Sequence, residues 1–145
     1  MRFFFYGTLI DRDVRAHVIG PEAAAWRISE AVLRDWRTVR IAGRPYPAIV
    51  PRRGETAAGI LAEGIRNDLL PRLIAYEGAE YALRTLEVEV APPADGSAEG
   101  ASMVTAYAFA ASSACNVIPS GWRFSEWERR HRRATIAALR ARRPV

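Results

Sequence analysis

The alternation of apolar and polar residues predicts a chain built mainly of strands. A short apolar run begins the sequence, an imperfect period-2 pattern follows, and a later segment alternates strictly, with Glu87 and Glu89 on the solvent side. Two further apolar segments complete the set. The predicted strands are residues 2–6, 26–41, 56–65, 84–90 and 103–110.

Proline and glycine mark two segments that cannot be helical. The stretch from Arg44 to Pro51 has three prolines in seven positions, which excludes a helix. Because proline has no N–H to give to a sheet, this stretch is predicted to be an extended edge segment. Residues 92–101, rich in Pro, Gly and Ala, are predicted to form a loop.

Capping residues and helical spacing predict three helices. Asp11 is expected to cap a helix over residues 11–19 that ends at Gly20, and Asp68 to cap a second helix that ends at Gly78. Pro71 would then lie in the first turn, where its missing N–H costs nothing. A long basic helix is predicted at about residues 122–141, with four residues available for packing: Trp127, Ala134, Ala138 and Leu139.

Strands interrupted by single helices, without a repeat or a linker, indicate one α+β or mixed-barrel domain over residues 1–145. Half of the 145 residues are hydrophobic, enough for a core without disulfides. No apolar run approaches the roughly 18 residues that span a bilayer. Residues 3–10 lack the flanks of a signal peptide. The expectation is therefore a cytoplasmic protein without membrane association.

Charge is placed unevenly along the chain. Up to Arg123 there are 14 arginines and 14 acidic residues, so the net charge of +5 lies in the last 22 residues. All cations are arginines, which weakens the argument from abundance to phosphate binding. The cluster at residues 129–133 is predicted to be a solvated helix face. The alternative is a patch for nucleic acid or an acidic partner, and the lack of interleaved aromatic residues argues against nucleic acid.

The single cysteine, Cys115, excludes an internal disulfide and a multi-cysteine zinc site. No neighbouring base or cation would lower its pKa, so it is predicted to be structural. No metal or cofactor is predicted.

Glu77 differs from the other acidic residues in its neighbours. It follows Tyr76 at the end of an amphipathic helix and precedes Tyr81 by four positions. A carboxylate among aromatic rings loses solvation, which raises its pKa toward the range useful for proton transfer. From the residues alone, the alternative is a solvated glutamate at a helix end.

The first predicted strand stops at Gly7 and Thr8. Glycine accepts dihedrals closed to other residues, so successive backbone N–H groups can turn toward one point and bind an anion. The alternative is an ordinary structural turn. The segment has no Gly-Lys-Ser/Thr and is therefore not a P-loop.

These motifs together resemble the gamma-glutamylcyclotransferase-like superfamily, in particular its gamma-glutamylamine cyclotransferase or avirulence-induced-gene-like branch. The resemblance runs from about residue 3 to residue 122, and order and spacing carry it. The matching stretches are Tyr6-Gly7-Thr8-Leu9, Tyr46-Pro47-Ala48, Gly59-Ile60-Leu61, Tyr76-Glu77-Gly78-Ala79-Glu80-Tyr81 and Ile118-Pro119-Ser120-Gly121-Trp122.

The resemblance implies a small mixed β-barrel with flanking helices and a cavity between the N-terminal loop and Glu77. In the family, the backbone amides of this loop hold the glutamyl group, and the resemblance implies that role here for Tyr6, Gly7, Thr8 and Leu9. It also implies that Glu77 is the single catalytic acid. Three tyrosines are further candidate substrate contacts, the alternative being buried rings with hydrogen-bonded tips: Tyr46, Tyr81 and Tyr107.

The activity that the resemblance implies is cyclisation of a small-molecule γ-glutamyl amide to 5-oxoproline, with release of an amine and Glu77 as general acid/base. Two alternatives are a non-catalytic binding module that uses its basic C-terminal helix for a partner, and a pathway-specific γ-glutamyl acyltransferase relative. One position departs from the family pattern: Leu83 stands where an arginine is frequent, and Arg84 follows it. A β-bulge or a changed pocket would account for this shift. The oligomeric state is left open.

Overall fold

The strands and helices follow one another in a mixed order along the chain. The computed structural model describes residues 1–92, 95–96 and 100–142. The strands are β1 (Phe3–Phe5), β2 (Arg27–Ile41), β3 (Pro47–Glu63), β4 (Tyr81–Val90), β5 (Ser102–Ala111) and β6 (Val117–Gly121), and the helices are α1 (Arg12–Ile19), α2 (Leu70–Glu77), α3 (Phe124–Arg130) and α4 (Arg132–Ala141). Short 3-10 turns lie at Thr8–Ile10, Pro21–Ala25 and Asn67–Leu69. In the described part of the chain, no helix has the length and apolar character needed to cross a membrane.

Five of the strands close into a mixed barrel. In order around the ring they are β3, β1, β5, β4 and β2, and pairing of β2 with β3 completes it. The β1–β5 pair is parallel and the other pairs are antiparallel, while β6 adds to β2 outside the ring. The predicted α+β fold, a small mixed β-barrel with flanking helices, is confirmed.

Close contact between β1 and β3 depends on Gly59. A Cβ atom at this position would lie 2.2 Å from the Phe5 carbonyl oxygen, far inside van der Waals contact. Only glycine therefore allows β1 to pair with β3, in the register Phe5↔Ile60. This contact places the end of β1, and the loop after it, against the barrel.

β1 has only three residues, but both of its faces are buried. Phe3 and Phe5 stack at 5.5 Å and belong to the apolar cluster that includes the helices. Phe4 and Tyr6 belong to the cluster of barrel side chains. Burying a large apolar side chain contributes about 1.5–3 kcal/mol, so this short strand is an anchor of the core.

Two predictions about strands are corrected by the structure. The predicted edge segment and the strand after it form one strand, β3, which pairs with β2 from Arg40↔Pro47 to Arg27↔Glu63. A bulge at Asp35 interrupts the register, and the Asp35 carboxylate accepts a hydrogen bond from the Gly54 N–H. β6 was not predicted at all. Five residues of the predicted loop at 92–101 lie outside the described residues.

Two predictions about helices are also wrong. Asp68 does not cap α2, because the chain enters that helix through a 3-10 turn, and its carboxylate instead accepts a hydrogen bond from Arg66 at 3.1 Å. Pro71 does lie in the first turn, and Gly78 ends the helix. The long C-terminal helix is two helices, broken at His131.

Asp11 joins α1 to α4. Its Oδ1 accepts hydrogen bonds from the N–H groups of Asp13 (2.8 Å) and Val14 (3.1 Å), as the predicted cap requires, and Arg132 Nε donates to Oδ2 at 2.6 Å. Burial alone raises the pKa of Asp11, but the hydrogen bonds from Arg132 and from the two backbone N–H groups lower it more, so the net shift is downward.

We expect the variant Asp11→Asn to lose stability in a pH-dependent way. Asparagine keeps the cap but removes the charge that attracts Arg132. Because the folded-state pKa of Asp11 is depressed, its charge stabilises the fold above the unfolded pKa of about 3.9, and this contribution is lost as the pH falls through the folded pKa. Urea unfolding at several pH values should show the gap between wild type and variant closing in acid.

Asp11→Ala provides the comparison, since it removes the cap as well. Asp11→Ala should lower the free energy of unfolding by about 0.5–2 kcal/mol more than Asp11→Asn does, and this additional loss should persist in acid. A gap between wild type and Asp11→Asn that does not change with pH would contradict the role of the charge.

Candidate active site

A cavity of about 430 Å³ lies between the loop after β1, the start of β3, the end of α2 and helix α4. Seven of the eight site residues predicted from sequence line it, although they come from four separate segments of the chain. These are Tyr6, Gly7, Thr8, Leu9, Tyr46, Glu77 and Tyr81.

Glu77 is the last residue of α2, where Gly78 ends the helix with a φ of +79°. None of the described residues donates a hydrogen bond to its carboxylate, which lies at the wall of the cavity. Burial raises the pKa of Glu77 to about 8. A carboxyl group with this pKa gains and loses a proton near neutral pH, as a general acid/base must.

Three tyrosines surround the carboxyl group and stay protonated. Burial, followed by the charge of Glu77, raises the pKa of Tyr6 well above its ordinary value, and burial raises the pKa of Tyr76 to about 12. The pKa of Tyr81 is also raised, first by burial and then by Tyr6 and Glu77. Each ring therefore presents a neutral hydroxyl, and Glu77 is the group in this cluster that can change charge near pH 7.

The loop that faces Glu77 is a single 3-10 turn. The Ile10 N–H donates to the Gly7 carbonyl and the Asp11 N–H to the Thr8 carbonyl, each at 3.1 Å. The first N–H groups of such a turn have no acceptor within it. Those of Thr8 and Leu9 are therefore available to a ligand.

Contacts from both sides hold the loop in place. The buried Arg15 guanidinium, on α1, donates to the carbonyls of Leu9 (2.9 Å) and Ile10 (2.7 Å). On the other side, the Thr8 hydroxyl and the Tyr76 hydroxyl are hydrogen-bonded at 2.8 Å. The loop is thus tied directly to the helix that carries Glu77.

The close approach of Pro47 favours glycine at position 7. Its φ is −115°, outside the left-handed region, so a positive φ is not what selects glycine. A Cβ atom here would lie 3.2 Å from two ring carbons of Pro47, tighter than an ordinary contact. The absence of a side chain lets the loop and the start of β3 form adjoining walls of the cavity.

Tyr46 and Tyr81 form the rim opposite the loop. Their ring centroids are 6.4 Å apart, the Tyr81 hydroxyl donates to the Pro47 carbonyl at 2.5 Å, and the Tyr46 hydroxyl donates to Glu80 at 3.0 Å. Nearby, burial and then the charge of Glu80 raise the pKa of the Cys115 thiol. A thiol shifted in this direction is a poor nucleophile at neutral pH, in agreement with the structural interpretation of this cysteine.

Helix α4 supplies a wall that sequence reasoning missed. Ala134 and Ala138 were predicted to be available for packing, but they are exposed and line the cavity, as do the half-buried Thr135 and the exposed Arg142. Residues four apart on a helix share one face, so the row 134, 138, 142 was the available signal. Two small residues in that row leave room above Glu77 instead of filling it.

Tyr107 does not reach the cavity. It lies on β5 with 37% of its surface exposed, its ring is 5.5 Å from that of Phe3, and it borders a separate cleft near Met1 and Arg2. Its prediction as a substrate contact is corrected accordingly. Phe109, two residues further along the same face of β5, lines the cavity, and Tyr107 lies too far along the strand to reach it.

Arg84 does not occupy the cavity either. Pairing of β4 with β5 is continuous from Tyr81↔Ala111 to Val90↔Ser102, so no bulge accompanies the shift of this arginine. Its guanidinium carbon lies 5.4 Å from the centre of the Trp36 ring, a cation–π contact. Leu83 thus stands where the family pattern has an arginine, and the pairing of β4 with β5 continues through this position without a bulge.

Comparison with known proteins identifies the family. Residues 3–129 match the family model described as gamma-glutamyl cyclotransferase, AIG2-like. The chain belongs to this family. Two curated relatives come from Arabidopsis thaliana: AIG2-like protein D is 28% identical over 130 residues (88% of this chain, 79% of the relative), and AIG2-like protein A is 30% identical over 139 residues (94% and 78%).

Solved structures show the same fold. The solution structure of an Arabidopsis thaliana protein superposes with a TM-score of 0.65 at 25% identity, covering 99% of this chain and 94% of that protein. A gamma-glutamyl cyclotransferase gives 0.61 at 13% identity (99% and 88%), and a yeast gamma-glutamyl cyclotransferase specific to glutathione gives 0.62 at 11% (100% and 88%). Family and fold together support an activity of the gamma-glutamyl cyclotransferase type.

We expect the Glu77 carboxyl group of this AIG2-like protein to titrate with a midpoint near pH 8, compared with about 4.3 for a free glutamate. The reason is the burial that raises its pKa. Carbon-13 NMR of glutamate carboxyl groups over a pH series measures the midpoint directly. Loss of one resonance in Glu77→Gln assigns the signal, and a midpoint between 4 and 5 would contradict the expected environment.

Proposed function

We propose that this protein converts a γ-glutamyl amide into 5-oxoproline and a free amine, with Glu77 as the general acid/base. The observation that carries the proposal is the placement of one carboxyl group with a pKa of about 8 across a cavity from a turn with free backbone N–H groups. The first feature suits proton transfer and the second suits an anion.

The glutamyl end of the substrate fits the loop side of the cavity. A carboxylate placed before the first turn accepts hydrogen bonds from the N–H groups of Thr8 and Leu9. The contact of Thr8 with Tyr76 and the contact of Arg15 with the loop carbonyls support these groups from behind. The γ-carbonyl then lies toward Glu77.

The nucleophile belongs to the substrate. The α-amine of a γ-glutamyl amide closes a five-membered ring on the γ-carbonyl, so the reaction is intramolecular. Holding the two groups in a reactive orientation supplies much of the acceleration, up to about 7–11 kcal/mol in favourable cases. The walls formed by the loop, the tyrosines and α4 perform this task by restricting the bound conformation.

One carboxyl group can serve both proton transfers. Ionised Glu77 takes one proton from the α-ammonium, and the neutral amine attacks the γ-carbonyl to give a tetrahedral intermediate whose ring nitrogen carries two protons. Protonated Glu77 gives its proton to the departing nitrogen as the C–N bond breaks. The regenerated carboxylate then passes the second proton of the ring nitrogen to the released amine. The products are 5-oxoproline and an ammonium, and the reaction consumes no water.

The alternative of a non-catalytic binding module uses the same cavity but assigns no role to the raised pKa of Glu77. An acyltransferase relative would retain the carboxyl group and pass the glutamyl group to an added amine, so its product would be a new amide. Identification of the product therefore separates these alternatives from cyclisation.

We expect Glu77→Gln to lower the release of 5-oxoproline from γ-glutamyl amides by two or more decades, because glutamine keeps the shape of the side chain and cannot exchange the proton. The measurement is chromatographic detection of 5-oxoproline from a panel of γ-glutamyl amines. Glu87→Gln, on an exposed strand position, is the matched control and should retain wild-type turnover. Equal turnover in Glu77→Gln and wild type would exclude the proposed role.

The rate should also depend on pH in a defined direction. The reactive pair contains ionised Glu77 and a substrate ammonium, so kcat/KM should rise by about tenfold per pH unit below the Glu77 pKa of about 8. It should fall again as the α-ammonium, with a pKa of about 8, deprotonates. A profile that is flat between pH 5 and pH 7 would show that another group carries the proton.

A further inference from the structure

A second concavity, of about 390 Å³, adjoins the proposed active site. The two share Pro45 and His131 as common walls. The indole N–H of Trp122 donates to the Pro45 carbonyl at 2.9 Å and fixes this boundary. The second concavity therefore adjoins the cavity on the side where a ligand longer than the glutamyl group would extend.

The second concavity is positively charged. Arg40, Arg44 and Arg123 line it, against one acidic residue, Glu126. Glu126 is paired with Arg130 at 3.4 Å.

The three arginines differ in their partners. Arg44 lies 3.5 Å from Glu80 and is partly neutralised. No carboxylate among the described residues lies within 4.0 Å of the guanidinium of Arg40 or Arg123. These two arginines, from β2 and from the residue before α3, line the same concavity without a carboxylate partner among the described residues.

Most of the other residues that line this concavity are apolar, among them Ile41, Ile118 and Trp122. A ligand that suits both parts has an aliphatic segment next to the reacting amide and a negative charge beyond it. Guanidinium groups bind carboxylate and phosphate with paired, charge-assisted hydrogen bonds.

We propose that the amine released by this enzyme carries a terminal anionic group, which Arg40 and Arg123 bind while an apolar spacer lies along Trp122. This inference rests on the proposed function, because it assigns the part of the substrate that leaves. The glutamyl end is the same for every γ-glutamyl amide, so the second concavity is where one amine is distinguished from another.

The test compares three series of γ-glutamyl amides with matched spacers: ω-aminoalkanoates, ω-aminoalkyl phosphates and uncharged alkylamines. We expect kcat/KM for the better anionic series to exceed that for the uncharged series by about tenfold or more at low ionic strength, since hydrogen bonds between charged groups contribute more than neutral ones. The advantage should shrink as salt screens the contact. The ratio between the two anionic series identifies the anion.

Arg40→Gln and Arg123→Gln should remove this preference and leave turnover of the uncharged series unchanged. Arg129→Gln is the matched control, because Arg129 is an exposed arginine of α3, six residues after Arg123, and does not line the concavity. Equal kcat/KM for charged and uncharged amides, or the same loss of preference in Arg129→Gln, would overturn the proposal while the cyclisation itself stands.

A calorimetric measurement keeps the two proposals separate. If no amide is turned over, the proposed cyclisation fails, and binding of the same compounds to wild type still tests the arginines. Tighter binding of an anionic compound, lost in Arg123→Gln, would support the anion site in a binding protein. Equal affinity of charged and uncharged compounds would overturn it.

Discussion

The arrangement of the site depends on one backbone contact, between Gly59 of β3 and the Phe5 carbonyl of β1. β1 is too short to define its own position, so its place in the barrel is set by the two strands that flank it. This fixes the point at which the chain leaves the barrel and turns at Gly7. β3 starts at Pro47, and the ring of this proline packs against Gly7. A single long strand therefore positions the loop from both directions.

The helices complete the cavity through charged contacts to the first turns of the chain. Arg15 holds the carbonyl groups at the end of the loop, and Asp11, which caps the following helix, also binds Arg132 at the start of α4. The wall formed by α4 is thus anchored beside the loop that it faces. Both anchors come from the segment just after the loop, so this segment links the loop to the helix that faces it.

Much of the fold and part of the site could be predicted from the sequence, since each rests on a short-range signal. Period-2 alternation indicated β4, the residue before the first helix indicated the Asp11 cap, and short motifs indicated both sides of the cavity. The errors had two sources. Long-range pairing with β2 merges two segments into β3. Locally, the chain enters α2 through a 3-10 turn, and Asp68 accepts a hydrogen bond from Arg66, two residues before it, instead of capping the helix.

The prediction of Tyr107 failed for a long-range reason. Tyr107 shares a face of β5 with Phe109, which lines the cavity, but it lies beyond the cavity along the strand. Where the cavity ends along β5 depends on the packing of the loop and the helices, which one sequence does not specify. The row of small residues on α4 was visible in the sequence, but alanine at helical spacing is equally typical of tight packing. In the structure this row lines the cavity from α4, the helix that begins after the break at His131.

The raised pKa of Glu77 sets function against stability. In the unfolded chain this carboxyl group ionises near pH 4.3, whereas in the fold it holds its proton up to about pH 8. As the pH rises between these two values, ionisation of Glu77 lowers the free energy of unfolding. Above pH 8 the native state bears the whole penalty of a poorly solvated charge. The pH range in which the carboxylate can accept a proton is therefore the range in which it destabilises the protein most. Selection for stability alone would remove this acid, so a lineage that retains it does so against the preference of the fold.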